Sequence, residues 1–189
     1  MQWLIELDKS LFLYLNGLNS TYVDPVMVFF SAKLVWIPLY LLIVYLIVKS
    51  EEKKYLVFTL LAVIITFALT DTAGNLIKNT VERLRPCHDP QIAPFVHLLE
   101  GKGSMYGYVS NHAANVFGLA TITAVIIRNR YYSIGIFLWA AIVAYSRIYV
   151  GKHYPLDIIS GAIVGVVIAL IVLRLLELVK NRKNVLRNR

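Results

Sequence analysis

Residues 146–179 read SRIYVGKHYPLDIISGAIVGVVIALIVLRLLELV, a polar segment running straight into an apolar one. The apolar part, from about 156 to 179, is long enough to cross a bilayer, which takes about 20 helical residues. Pro155 suits the first turn of a helix, and the charge of Asp157 favours a helix N-terminus. The stretch therefore predicts a membrane-spanning helix that starts just after Ser146, Arg147 and His153 and carries Asp157 in its first turn. Working outward, four more apolar stretches follow the same rule, at about 26–48, 55–76, 113–127 and 132–150. Helix is the required reading of each, because unpaired backbone groups are too costly in lipid for an open sheet. The expected fold is an all-α, multi-pass transmembrane helical bundle of five spans, forming one membrane-embedded domain over residues 1–189.

Composition agrees with this. Hydrophobic residues make up 58% of the chain and charged residues 16%, against about 45–50% and about 25% in soluble domains. The single cysteine, Cys87, excludes an internal disulfide. The net charge of +8 falls in short clusters between apolar runs, which argues for membrane orientation and against nucleic acid as a partner. No feature calls for an obligate protein partner.

The first 18 residues are different. Leu4, Leu7, Leu11, Leu15 and Leu18 recur at spacings of three and four, with Glu6, Lys9 and Asn16 elsewhere on the wheel. That pattern predicts an amphipathic helix lying at the membrane interface, closed by Asn16-Gly17. Glu6, Asp8 and Lys9 interrupt any apolar core, which argues against a cleaved signal peptide.

Five spans place the two chain ends on opposite sides. One side receives Lys49, Lys53 and Lys54, then Arg128 and Arg130, then six basic residues in 174–189, making eleven of the nineteen Lys and Arg. Basic loops favour the cytoplasm. A cell-membrane protein with a cytoplasmic C-terminus follows, and the long loop at 85–108 faces outward with the 150–156 connection.

Three polar segments gather on that outward side: Lys78 to Arg85-Pro86, Ser110-Asn111-His112, and Ser146-Arg147 to His153 and Asp157. Interfacial cations demand an anionic partner. Arginine forks match phosphate oxygens in pairs, and lysine adds a point charge. Ser110 and the first amides of the helix that follows it offer further donors. His153 and Asp157 stand one turn apart, so the carboxylate accepts the proton of one ring nitrogen and leaves the other free to attack. His112, from another segment, is placed to protonate a leaving oxygen and then activate water. That set suits a phosphoryl displacement that needs no metal and no cofactor.

The pattern Lys-x6-Arg-Pro, Ser-x-His, Ser-Arg-x5-His-x3-Asp resembles the type 2 phosphatidic acid phosphatase superfamily, to which soluble vanadium haloperoxidases also belong. Lys78, Arg85 and Pro86 match its first element, Ser110 and His112 the second, and Ser146, Arg147, His153 and Asp157 the third. The resemblance implies a lipid phosphatase with a phosphohistidine intermediate. His153 would be the nucleophile, Asp157 its orienting carboxylate and His112 the general acid. Lys78, Arg85, Ser110 and Arg147 would bind the phosphate. The implied substrate is a lipid monophosphate or diphosphate, such as undecaprenyl diphosphate, phosphatidylglycerol phosphate, phosphatidate or a lipid A phosphate. One departure stands out: Asn111 occupies the position where the family pattern has glycine. Asparagine is the residue next best able to adopt positive φ, and its amide is expected to add a contact to the substrate.

Asp71 and Asn75 share a helix face with Lys78 and are expected to position it. His88, Asp89 and His97 read as solvated loop residues, and Tyr106, Tyr108, Tyr131, Tyr132, Tyr149 and Tyr154 as an aromatic belt. Gly161 and Gly165 form a small-xxx-small pair expected to pack closely within the chain. Two other functions share these residues: a vanadate-dependent haloperoxidase, against which five apolar spans argue, and a non-catalytic lipid or phosphate binder or transporter. Binding needs only the cations, so the paired histidines and Asp157 favour catalysis.

Overall fold

The computed structural model describes residues 2–187; Asn188 and Arg189, the last of the basic tail, lie outside the described residues. The described chain is all-helical: α1 (Gln2–Gly17), α2 (Asp24–Ser31), α3 (Ile37–Ser50), α4 (Leu56–Val81), α5 (Asn111–Ile127), α6 (Arg130–Tyr149) and α7 (Pro155–Arg187). Three of these, α4, α6 and α7, are long and apolar enough to cross a membrane. The stretch at 26–48 is not one straight helix. It divides into Asp24–Ser31 and Leu34–Ser50, bent by 75°. The second segment opens as a tight turn at Leu34–Trp36, and Pro38 then stands at the start of α3, where its missing N–H costs nothing. Helix α5, with 17 residues, is apolar but short.

Helix ends follow their local sequence. Asn129 caps α6 by accepting from the amides of Tyr131 and Tyr132 at 2.9 and 3.0 Å. Ser110 caps α5 with its hydroxyl towards the Ala113 amide. Both serve amides that the helix itself leaves unpaired.

Helix α5 is the central element, packed against α3, α4, α6 and α7. Its contact with α7 is backbone to backbone. A Cβ at Gly165 would stand 2.1 Å from the Ala114 carbonyl oxygen, and one at Gly161 would stand 2.5 Å from the Ser110 carbonyl oxygen. The small-xxx-small pair thus serves packing inside the chain. Around α5 lie a layer built on Ile43, Ile47, Val116, Ile136 and Trp139 and another on Ala62, Ile122, Ala169 and Val172. Large apolar side chains of α3, α4, α6 and α7, among them Leu41, Ile64, Leu138 and Ile163, remain exposed on the outside. An apolar perimeter of this extent is far beyond that of a soluble monomer.

Helix α1 is present, with its leucine stripe outward and a second face packed on the bundle. Leu4, Leu7, Leu11 and Leu18 are exposed, whereas Asp8, Phe12 and Asn16 are buried against the bundle. Phe12 packs edge-on to Tyr154. The Asn16 amide donates to the carbonyls of Ile148 and Tyr149 at 3.2 and 2.8 Å, satisfying the end of α6. Asn16, read from sequence as part of the Asn16-Gly17 close of the helix, is thus a buried clamp, because helix-end carbonyls need donors wherever water is excluded.

Candidate active site

The polar segments meet where the N-termini of α5 and α7 approach the C-termini of α4 and α6. Two backbone turns build the meeting point. The chain leaves α6 so that the amides of Lys152 and His153 both donate to the Arg147 carbonyl, at 3.0 and 3.2 Å, with Gly151 at φ +82° making the turn. The Ser110 amide donates to the Asp157 carbonyl at 2.9 Å, joining the start of α5 to the first turn of α7.

His153 is 2% exposed and Asp157 fully buried. The ring Nδ1 faces Asp157 Oδ2 at 3.3 Å, and Nε2 faces Arg85 Nη1 at 3.3 Å. A guanidinium only donates, so Nε2 must be the unprotonated nitrogen and Nδ1–H donates to Asp157. Burial, together with the charges of Arg85, Arg147 and Lys78, holds the imidazole well below its ordinary range, hence neutral. The nitrogen lone pair thus faces the Arg85 cation.

Asp157 is itself anchored. Its Oδ2 accepts from the Tyr154 amide at 3.0 Å and its Oδ1 from Arg83 Nη1 at 3.0 Å. Gly107 lies so close that a Cβ there would stand 3.1 Å from Asp157 Oδ2 and from Arg85 Cγ. Arg83 then reaches Asp8 of α1 at 2.6 Å and stacks 4.1 Å over the Tyr154 ring. Asp8 Oδ1 accepts from the Leu156 amide at 2.9 Å. A continuous chain of bonds therefore runs from α1 through Arg83 to His153. Nothing in the motif spacing pointed to Arg83 or Asp8; a usable signal was that Asp8, Phe12 and Asn16 fall four apart on one face.

The cations differ in their partners. Arg85 donates from Nε to the Tyr106 carbonyl at 3.2 Å and from Nη2 to Ser104 Oγ at 3.0 Å. Lys78 donates to Asn111 Oδ1. Among the described residues neither is in an ion pair. Arg147 pairs with Glu100 of the long loop at 3.2 Å and bonds Ser31 at the bend after α2, while its buried Nε has no partner. Lys152 is also buried, with its ammonium against Gly103 of the long loop. Cations left without carboxylates in a buried site are a ready receptor for a polyanion.

His112 stands in the first turn of α5 and lines an apolar cavity of about 620 Å³ with Lys33, Trp36, Ile43, Phe67 and Trp139. Asn111 is helical; positive φ among the described non-glycine residues occurs at Glu82 and Arg128. The substitution for glycine is therefore not explained by backbone conformation. Its amide is spent on α4: Nδ2 donates to Asp71 Oδ1 at 2.9 Å and to Asn75 Oδ1 at 2.8 Å, and Oδ1 takes the Lys78 ammonium.

Several neighbours are tied down rather than solvated. Asp89 is buried, paired with Lys9 at 2.6 Å and accepting from the Tyr154 hydroxyl at 3.0 Å. His97 Nε2 lies 3.1 Å from Asp24. Tyr149 and Tyr154 are buried to 1% and use their hydroxyls on Asp24 and Asp89, so they belong to the scaffold and not to an aromatic belt.

A bundle with membrane-length apolar helices and, at one end, a pocket where two arginines and two lysines surround a buried histidine–aspartate pair defines a helical membrane protein with a site suited to an anion. The family profile described as the PAP2 superfamily matches residues 53–180, and the chain belongs to that superfamily. Lipid A 4'-phosphatase of Bacteroides thetaiotaomicron is 37% identical over 168 residues, spanning 87% of this chain and 75% of the relative. Undecaprenyl-diphosphatase of Sulfolobus acidocaldarius is 31% identical over 164 residues, spanning 85% and 74%. The fold is similar to the solved transmembrane PAP2-type phosphatidylglycerolphosphate phosphatase of Bacillus subtilis, with a TM-score of 0.74 at 18% identity over 94% of this chain and 88% of that one. Aquifex aeolicus LpxE gives 0.66 at 24% identity, over 87% and 93%.

Proposed function

We propose that the chain is an integral membrane lipid phosphatase that cleaves a phosphate monoester or diphosphate through a phosphohistidine intermediate without a metal ion. One observation carries the reading: His153 presents an unprotonated Nε2 to the Arg85 guanidinium while Asp157 holds Nδ1–H. In the first step Nε2 forms a bond to phosphorus and the bond to the lipid oxygen breaks, with His112 giving that oxygen its proton. In the second, water attacks phosphorus, its proton passes to His112, and the P–N bond breaks to return neutral His153. Lys78, Arg85, Arg147 and the Ser110 end of α5 take the charge on the equatorial oxygens. The apolar cavity lined by His112 receives the lipid chain, with Lys33 also in its wall.

The topology proposed is five crossings, the bent α2–α3 pair counting as one and α5 as another. At 1.5 Å per residue α5 spans roughly 26 Å, a little less than the hydrocarbon core. Its N-terminus, and the site with it, then lie just inside the headgroup region. The basic loops at the opposite end support an orientation with that face outside the cell membrane and the C-terminus in the cytoplasm.

The test is phosphate release by the detergent-solubilised protein in EDTA, on a lipid A 4'-phosphate, undecaprenyl diphosphate, phosphatidylglycerol phosphate and phosphatidate. Relatives with lipid A 4'-phosphatase and undecaprenyl-diphosphatase activity by name make the first two the preferred substrates. Release from at least one lipid in EDTA is expected. Release restored only by a divalent cation contradicts the mechanism, and no release from any lipid contradicts the function. A second prediction concerns Arg83. Arg83→Leu leaves Asp8 and Asp157 as neighbouring buried carboxylates without their shared cation, and kcat is expected to fall about 10–100-fold with KM changed less than threefold. An unchanged kcat would remove Arg83 from the account.

A further inference from the structure

The position that departs from the family pattern is joined to a polar stripe on α4 through four hydrogen bonds. Asn111 Nδ2 donates to Asp71 Oδ1 at 2.9 Å, to Asn75 Oδ1 at 2.8 Å and to the Asp71 carbonyl at 3.4 Å, while Oδ1 accepts from Lys78 Nζ. Asn75 closes the set by donating to Asp71 Oδ2 at 3.3 Å. Space for the amide comes from a second position. A Cβ at Gly74 would stand 2.3 Å from Asn111 Oδ1 and 2.9 Å from its Cγ, so a side chain at 74 would displace the amide from this position.

We propose that Asn111 is a positioning residue that holds Lys78 towards the phosphate and keeps it out of an ion pair with Asp71. The proposal rests on the reading of Lys78 as a phosphate ligand. Asp71 and Lys78 lie two turns apart on the same face of α4, within reach of each other's flexible side chains. The amide stands between them, its N–H end on the carboxylate and its carbonyl on the ammonium. Both ends of its dipole are satisfied, and each bond strengthens the other. Lys78 gives up one of its three N–H donors and keeps two for phosphate oxygens. With glycine at 111, the ammonium is free to fold back on Asp71, and its charge is lost to the anion.

The experiment uses the full-length protein and inorganic phosphate as probe, with affinity read by calorimetry and by competitive inhibition of turnover. Asn111→Gly is expected to weaken phosphate binding about tenfold, the worth of one hydrogen bond to a charged group, and to lower kcat/KM by at least as much, since Lys78 also meets the transition-state charge. Gly74→Ala, which evicts the amide without touching it, is expected to do the same. Adding Asp71→Asn to Asn111→Gly removes the competing carboxylate and is expected to return affinity to within about threefold of wild type, a rescue that a merely structural role does not produce. In a Lys78→Met background, Asn111→Gly is expected to change affinity less than twofold. An equal loss with and without Lys78, or no loss in either Asn111→Gly or Gly74→Ala, overturns the proposal. Failure of the enzymatic reading is a separate event: it shows as absent turnover in the wild type, while calorimetry still reports on Asn111.

Discussion

His153→Ala is expected to lower turnover by about 10⁴-fold or more while the protein still inserts, folds and binds phosphate. The size follows from the chemistry: without Nε2 no covalent intermediate forms, and removing a nucleophile leaves only the rate that binding and charge stabilisation supply. Retained folding follows from the structure. The backbone turn at 151–153 is made by the Lys152 and His153 amides donating to the Arg147 carbonyl and by the φ of Gly151, none of which needs the imidazole. Asp157 keeps Arg83 and the Tyr154 amide, so the substitution does not leave a buried carboxylate unpartnered. Phosphate release and a melting curve on the same detergent preparation check both halves, and turnover within tenfold of wild type would remove His153 as nucleophile.

Arg85→Lys is expected to lower kcat/KM by about 10²–10³-fold, the worth of a charge-stabilising donor in a buried site. The guanidinium uses Nε on Tyr106, Nη2 on Ser104 and Nη1 on His153 Nε2. A lysine ammonium keeps the charge but cannot hold all three directions at once, nor offer phosphate a planar fork. The decisive comparison is with Arg147→Lys. Arg147 is engaged by Glu100 and Ser31, so part of its charge is already matched, and the smaller loss is expected there. Equal losses at the two positions would mean that both arginines meet the phosphate alike.

The motif residues were legible because their spacing puts them on helix ends. His153 and Asp157 are one turn apart, Ser110 is an N-cap, and Lys78 and Arg85 flank the end of α4. Chain-local logic finds such groups. Arg83 and Asp8 were not legible, since Asp8 meets Arg83 across 75 residues and the Leu156 amide across 148. The leucine stripe of α1 drew attention to a face that the structure leaves exposed, while the buried face carries two polar residues with specific partners. The bend between α2 and α3 had signals in Ser31, Lys33 and Pro38, but the long apolar runs on either side hid them. Asn111 is the instructive case. Its identity was visible, and backbone freedom was the natural explanation from sequence. Its use of a side chain on the neighbouring helix depends on Gly74, which no local rule connects with it.

The central claim, covalent catalysis at His153, is tested most directly by quenching the enzyme during turnover of a substrate labelled in the phosphate and mapping the label by mass spectrometry. The account predicts acid-labile, base-stable phosphate on His153 that forms and decays at the rate of turnover and is absent from His153→Ala. Label on another residue, or steady release of phosphate by His153→Ala at the wild-type rate, would contradict it.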